Sequence, residues 1–180
     1  MNRWRRAIVA LVMTSSAAAA QEQMGTTQRA AIDKLAWLEG EWRGPAWMMT
    51  GPNERRTADQ WEKIYRAAGG TVLVIQGIGK MTNAGAMTGN VAHDAFAVIY
   101  WDGQRNQYTV RSFVSNGTTL ETKAEVGDRK VVWGFEHPQA GLTRYTITLT
   151  PAGEWREVGE ASRDKGATWY QFMEMTLKKQ

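Results

Sequence analysis

From residue 41 onward the chain is cut into ten short runs rich in Val, Ile, Thr, Tyr, Trp and Phe, each bounded by turn residues, and that punctuation leaves few folds open. Strands are expected over 41–49, 60–67, 71–79, 95–101, 107–114, 118–126, 130–136, 142–149, 154–163 and 168–177. Between them stand Asp102-Gly103, Asn116-Gly117, Gly127-Asp128, Pro138 with Gly141, Pro151 with Gly153, and Asp164 with Gly166. Asn116-Gly117 is the strongest hairpin signal of the set. Within the runs, Leu120, Thr122, Ala124 and Val126 alternate with Thr119, Glu121, Lys123 and Glu125. One packed and one solvated face per strand argue for an antiparallel meander. Closure removes its exposed edges, so the expected fold is all-β, an antiparallel up-and-down barrel of about ten strands. Only Thr26 to Leu38 reads as a helix, a short N-terminal lid or plug with Ile32 and Leu35 on one side, and Thr82 to Asp94 reads as a looser loop.

The first twenty residues belong to another grammar. Arg3, Arg5 and Arg6 precede an apolar run from Ala7 to Met13, and Ala18-Ala19-Ala20 ends it in small residues. That is the pattern of a secretory signal peptide, so residues 1–20 are expected to be a leader and 21–180 a single barrel domain, periplasmic or secreted. The whole chain carries a net charge of +4, but removing the three leader arginines leaves nineteen basic residues against eighteen acidic ones. Nothing in that balance favours nucleic acid. No second apolar run is long enough to span a bilayer, so no stable membrane insertion is expected. The chain has no cysteine, which excludes disulfides, a thiolate nucleophile, Cys-ligated metal and a lipoprotein anchor.

The alternation also nominates an inner wall: Val131, Trp133 and Phe135; Tyr145, Ile147 and Leu149; Trp169, Met173, Met175 and Leu177. About eight strands already enclose room for one small ligand, and ten enclose more. Trp133, Tyr145, Trp155, Trp169 and Tyr65 are therefore candidate aromatic contacts, either packing the interior or lining a pocket. Ser112, Gly159, Ala161 and Gln171 interrupt the large rings and are expected to leave a hole, with Gln171 a further ligand contact. In "EWREVGEAS" the phase of Trp155 and Ala161 turns Glu157 inward, where a charge is costly unless paired or solvated. Glu157 reads as a polar anchor for a ligand, as half of an internal ion pair with Arg111, or as an outward residue of a mis-phased strand.

The frames "LAWLEGEWRG", "AAGGTVLVIQGIG" and "WREVGEASRDKGATWYQFMEMTLKK" resemble an uncharacterised bacterial family of small exported lipocalin-like, calycin-type β-barrels. The likeness spans residues 31 to 179, and within it Gly40 and Trp42 match the Gly-x-Trp signature of lipocalin-type barrels. The resemblance implies that Trp42 closes one barrel end, with Lys178 or Lys179 packing over its ring. The chain is more distantly similar to nitrobindin-type barrels, which bind haem through a histidine. It departs from them: His93 and His137 fall in expected loops, and Met173 and Met175 at strand spacing suit a core, so no cofactor is expected.

For catalysis the inventory is thin. His93-Asp94 lacks a nucleophile motif, no ligand spacing suggests a metal, and the glycines of "GTVLVIQGIGK" precede no helix and so form no phosphate loop; strand bending at a barrel corner is their simpler use. The residues point to a binder of a small apolar molecule rather than an enzyme. An isomerase or hydrolase using Glu157 as general acid or base, and a filled barrel with a structural or partner-binding role, are the alternatives. If the leader is read correctly, mass spectrometry of the exported protein will find Gln21 at its start; a start upstream of Ala18, or no processing, would overturn it.

Overall fold

The computed structural model describes residues 22–180; the leader expected at 1–20 lies outside them. After helix α1 (22–33) and a 3-10 turn at Ala36–Leu38 come ten strands: β1 (Gly40–Gly51), β2 (Glu54–Ala67), β3 (Val72–Asn83), β4 (Ala86–Asp102), β5 (Gln107–Val114), β6 (Thr119–Gly127), β7 (Lys130–His137), β8 (Gly141–Leu149), β9 (Trp155–Ser162) and β10 (Tyr170–Lys179). Each pairs antiparallel with the next, and β10 pairs with β1, closing an up-and-down barrel. The helical stretch starts earlier than the sequence suggested and stops at residue 33.

One end of the barrel is sealed. Ile32, Leu35 and Leu38, fully buried, press from α1 and the 3-10 turn onto a layer made of the strand ends nearest them. That layer holds Trp42, Ile64, Leu73, Ile99, Val131, Ile147, Trp155 and Leu177, all at most 3% exposed. Three polar ties fix the plug: the Trp42 indole N–H donates to the Leu38 carbonyl at 2.7 Å, the Tyr108 hydroxyl donates to the Ala31 carbonyl, and Arg66 bonds both Asp33 and Glu39. Trp155 meets Trp42 edge to face at 6.0 Å, and the Lys179 ammonium lies 5.3 Å from the Trp42 ring. Gly40 makes that last contact possible, since a Cβ there would stand 2.7 Å from the Lys179 side chain.

The opposite end is where the long hairpins turn. The stretch 82–94, expected as a loop, is instead the tip of β3 and the start of β4, joined at Ala84-Gly85, both with positive φ. These strands run past the barrel rim, and residues 86–92 are exposed on both faces, so they carry no alternation to read. Asn116-Gly117 makes the expected hairpin, with the Asn116 side chain accepting from the Thr118 N–H. Gly44 and Gly134 stand where the neighbouring strand comes too close for a side chain. At each, a Cβ would fall 2.2 Å from a carbonyl oxygen of the neighbouring strand, Thr176 and Thr143 respectively.

The sealed end should dominate stability. Trp42→Ala removes a fully buried indole together with its hydrogen bond and is expected to cost ~3–5 kcal/mol in denaturant unfolding. An unchanged midpoint would show that the plug is not integral to the barrel.

Candidate functional site

One step of the pleat above the sealing layer, the inner wall changes character. Two residues beyond Ile64 and Trp155 stand Glu62 and Glu157, 6% and 7% exposed; Glu157 is paired with Ile147, and the next inward residue of β8 is Tyr145, itself paired with Trp133. Glu62 occupies the space that a side chain at Gly77 would need: a Cβ there would be 2.5 Å from its carboxylate. One further step up, the Gln60 amide donates to Glu62 at 2.8 Å while its carbonyl oxygen lies over Gly79. Gly77 and Gly79 thus serve to house two polar side chains. His93 of β4, opposite Gly79, faces the same side as Gln60.

The two acids share an environment that disfavours charge. Burial, then the charge of Glu157, pushes the Glu62 carboxyl up to about 8, against which the Gln60 hydrogen bond acts. Burial alone lifts Glu157 to about 7. The Trp155 indole N–H points toward it and eases its ionisation, yet stops short of hydrogen-bond geometry and has no partner among the described residues. Burial, then the Glu157 charge, raises the Tyr145 phenol to about 12, so Tyr145 stays a donor. His93 is lowered by burial, with Asp94 acting the other way. None of the ion pairs among the described residues involves Glu62 or Glu157.

Beside the acids runs an aromatic wall. Trp133 stacks on Tyr145 at 4.2 Å with rings 10° apart, Phe135 lies nearly parallel to both at 6.4 Å, and Phe172 meets Tyr145 edge-on. All three stacked rings are half-buried. Small residues occupy much of the remaining wall toward the open end: Ala46, Gly77, Gly79, Ala95, Ala97 and Ser112.

Of the residues singled out in the sequence, Trp133, Tyr145 and Glu157 come together here, and Trp155 lies beneath them in the sealing layer, 1% exposed. Gly40 and Trp42 sit at the closed end. Three others point elsewhere. Tyr65 alternates with the inward Glu62 and Ile64, which leaves it 38% exposed on the outer face. Trp169 precedes β10 in the turn, donating to the Gly166 carbonyl and lying under the Arg144 guanidinium at 4.2 Å. Gln171 is displaced by a bulge between it and Met173, which turns it outward to bond Glu174. Arg111 cannot pair with Glu157, because it faces solvent beside Glu121. His137 uses Nδ1 to accept from the backbone N–H groups of Gln139 and Ala140. Sequence reasoning missed Gln60 and Glu62, and it put His93 in a loop where the structure has it within β4. The signal lay in "DQWEKIY", where stepping back by twos from Ile64 reaches Glu62 and Gln60.

Two depressions mark the molecule. One, about 370 Å³, opens between α1 and Thr71, Val72, Tyr100 and Trp101; the other, about 320 Å³, is bordered by Val132, Leu142, Arg144 and Trp169 and reaches Trp133 and Phe135 of the stack. Among the described residues no three His, Asp or Glu side chains gather as a metal set, and no helix is long and apolar enough to cross a membrane. The chain matches no protein-family model, and no curated protein is similar to it at a significant level.

The acids give stability a definite pH dependence. The folded pKa of Glu62, about 8, lies above its ordinary 4.5, so the folded state holds a proton the unfolded chain has released. Its contribution is full below about 4.5 and is lost as pH rises through about 8. Chemical denaturation is expected to show stability falling across that window, and Glu62→Gln, neutral throughout, to flatten the fall. A profile of equal slope in the variant would remove Glu62 as its cause.

Proposed function

We propose that this chain is an exported barrel that binds or carries a small, largely apolar molecule in its lumen. The observation that carries the reading is the half-buried stack of Trp133, Phe135 and Tyr145 on an inner wall that also holds two buried carboxyls, with Glu157 near enough to raise the Tyr145 phenol. Apolar walls with a few polar groups are the usual make-up of small-molecule sites. Membership of the lipocalin-like group is part of the same proposal. It is supported by the Trp42 ring held under a C-terminal lysine at a closed end.

A second reading keeps the barrel and makes it an enzyme, because a carboxyl at about 7 is suited to general acid or base work near neutrality. The neutral fluorophore N-phenyl-1-naphthylamine tests the first. Native protein is expected to take it up with enhanced emission, and Trp133→Ala, checked for folding by circular dichroism, to weaken uptake by about tenfold, equivalent to ~1.4 kcal/mol. Absence of uptake by the native protein would overturn lumen binding. Glu157→Gln separates the classes: it spares most of a binder's affinity and removes most of an enzyme's turnover.

A further inference from the structure

Glu62 on β2 and Glu157 on β9 each stand one inward step beyond a member of the same packed layer, Ile64 and Trp155, and both are buried, so the two carboxyls share one level of the lumen, where the charge of Glu157 opposes ionisation of Glu62. No lysine or arginine pairs with either acid among the described residues, and the basic side chain nearest them along the wall is His93, whose ionisation burial disfavours. On the inward phase the titratable groups are Glu62 on β2, His93 on β4, Tyr108 on β5, His137 on β7, Tyr145 on β8 and Glu157 on β9, with Arg66 at the closed rim held by Asp33 and Glu39, and Arg56 at the open rim held by Glu54. Tyr108 is committed to the Ala31 carbonyl and His137 to its own turn. The inward residues of β1, β3, β6 and β10 at this level, Ala46, Ile75, Gly77, Thr122 and Met175, carry no charge. Lys179 is occupied over Trp42 at the closed end.

A neutral acceptor, such as a ligand carbonyl, would use one acid as donor and leave the second without a purpose. A cation between them offsets the burial of both, and it is also drawn to the face of an aromatic ring. Trp133, Phe135 and Tyr145 supply such faces alongside. We propose that the lumen's ligand is a small aromatic or lipophilic amine, held as its ammonium ion against Glu62 and Glu157 with its apolar part along Trp133 and Phe135. The inference rests on lumen binding and adds the ligand's charge to it. Gln60 then holds Glu62 through its amide N–H, and Tyr145 stands near Glu157 as a neutral phenol. An ammonium ion beside the pair favours the ionised carboxyls, so its entry releases to the buffer part of the proton that burial holds on the acids, and the positive charge gained is offset by the proton lost.

The test compares 2-naphthylmethylamine, an ammonium ion at pH 7, with its neutral counterpart 2-naphthylmethanol by calorimetry on the intact protein in phosphate and in Tris. The amine is expected to bind about tenfold or more tightly than the alcohol. Its heat is expected to differ between the buffers through proton release, and its preference to vanish in the Glu62→Gln, Glu157→Gln double variant. Equal affinity for the two compounds, or a preference that survives the double substitution, overturns the ammonium proposal and leaves lumen binding standing. Should the double variant fail to fold, the unchanged protein decides, and a heat independent of buffer counts against the proposal. If neither compound nor N-phenyl-1-naphthylamine binds, lumen binding itself fails and the amine with it.

Discussion

The barrel is organised around the burial of Trp42. A ten-strand barrel is wide for side chains alone to fill, and its open ends would admit water to the inner faces of every strand. Trp42 resolves this at one end by linking three pieces that are distant in sequence. Its indole N–H reaches back to the 3-10 turn, its ring meets Trp155 from β9, and its outer side lies near Lys179 of the final strand. The pairing of β1 with β10 closes the sheet, and the same pairing brings Lys179 opposite Trp42. Closure and capping therefore depend on each other: the lysine reaches the ring only in the closed register, and α1 has an apolar floor to sit on only when that ring is in place.

Once the end is sealed, the pleat dictates what lies above it. Side chains facing inward recur every second residue, so the layer above Ile64, Ile147 and Trp155 must be Glu62, Tyr145 and Glu157. These are poor residues with which to fill a dry interior. The fold accommodates them through omissions elsewhere, since Gly77 and Gly79 give up side chains exactly opposite Glu62 and Gln60. On the far wall Gly159 does the same for Met173, whose side chain lies where its Cβ would be.

The strand count, the hairpin at Asn116-Gly117 and the inward set of β6 through β9 were legible because each rests on local chemistry: turn residues and period two. What failed did so where a different force took over. Residues 86–92 hydrogen-bond as a strand while facing water on both sides, so the ladder forms without the hydrophobic alternation that would announce it. Gln171 was placed inward by counting twos, and a bulge between it and Met173 breaks the count. Trp169 was drawn into β10 by its size, whereas Asp164 organises a turn there by accepting from Ser162 and Thr168, and the ring stays outside with Arg144. Glu62 was passed over because a glutamate between Trp61 and Lys63 looks like surface; only the phase fixed by Ile64 turns it inward, and only the pairing with β3 reveals glycine as its complement.

The acid pair also bears on whether the interior is merely packing. Replacing buried ionisable groups by apolar residues of similar volume is commonly neutral or stabilising, and large apolar side chains at 62 and 157 with alanine at 77 would give a conventional core. The chain has instead kept two carboxyls that burial pushes toward the protonated form, with the Gln60 amide as local support for Glu62. A barrel with only a structural task gains nothing from that arrangement and loses stability as the pH rises. A barrel that admits a partner to the open side of the layer can offset the same burial, since whatever hydrogen-bonds or neutralises the pair removes the desolvation penalty that the empty fold carries. The destabilising element and the recognition element are then one set of atoms, placed where the sealed end stops and the half-buried rings begin.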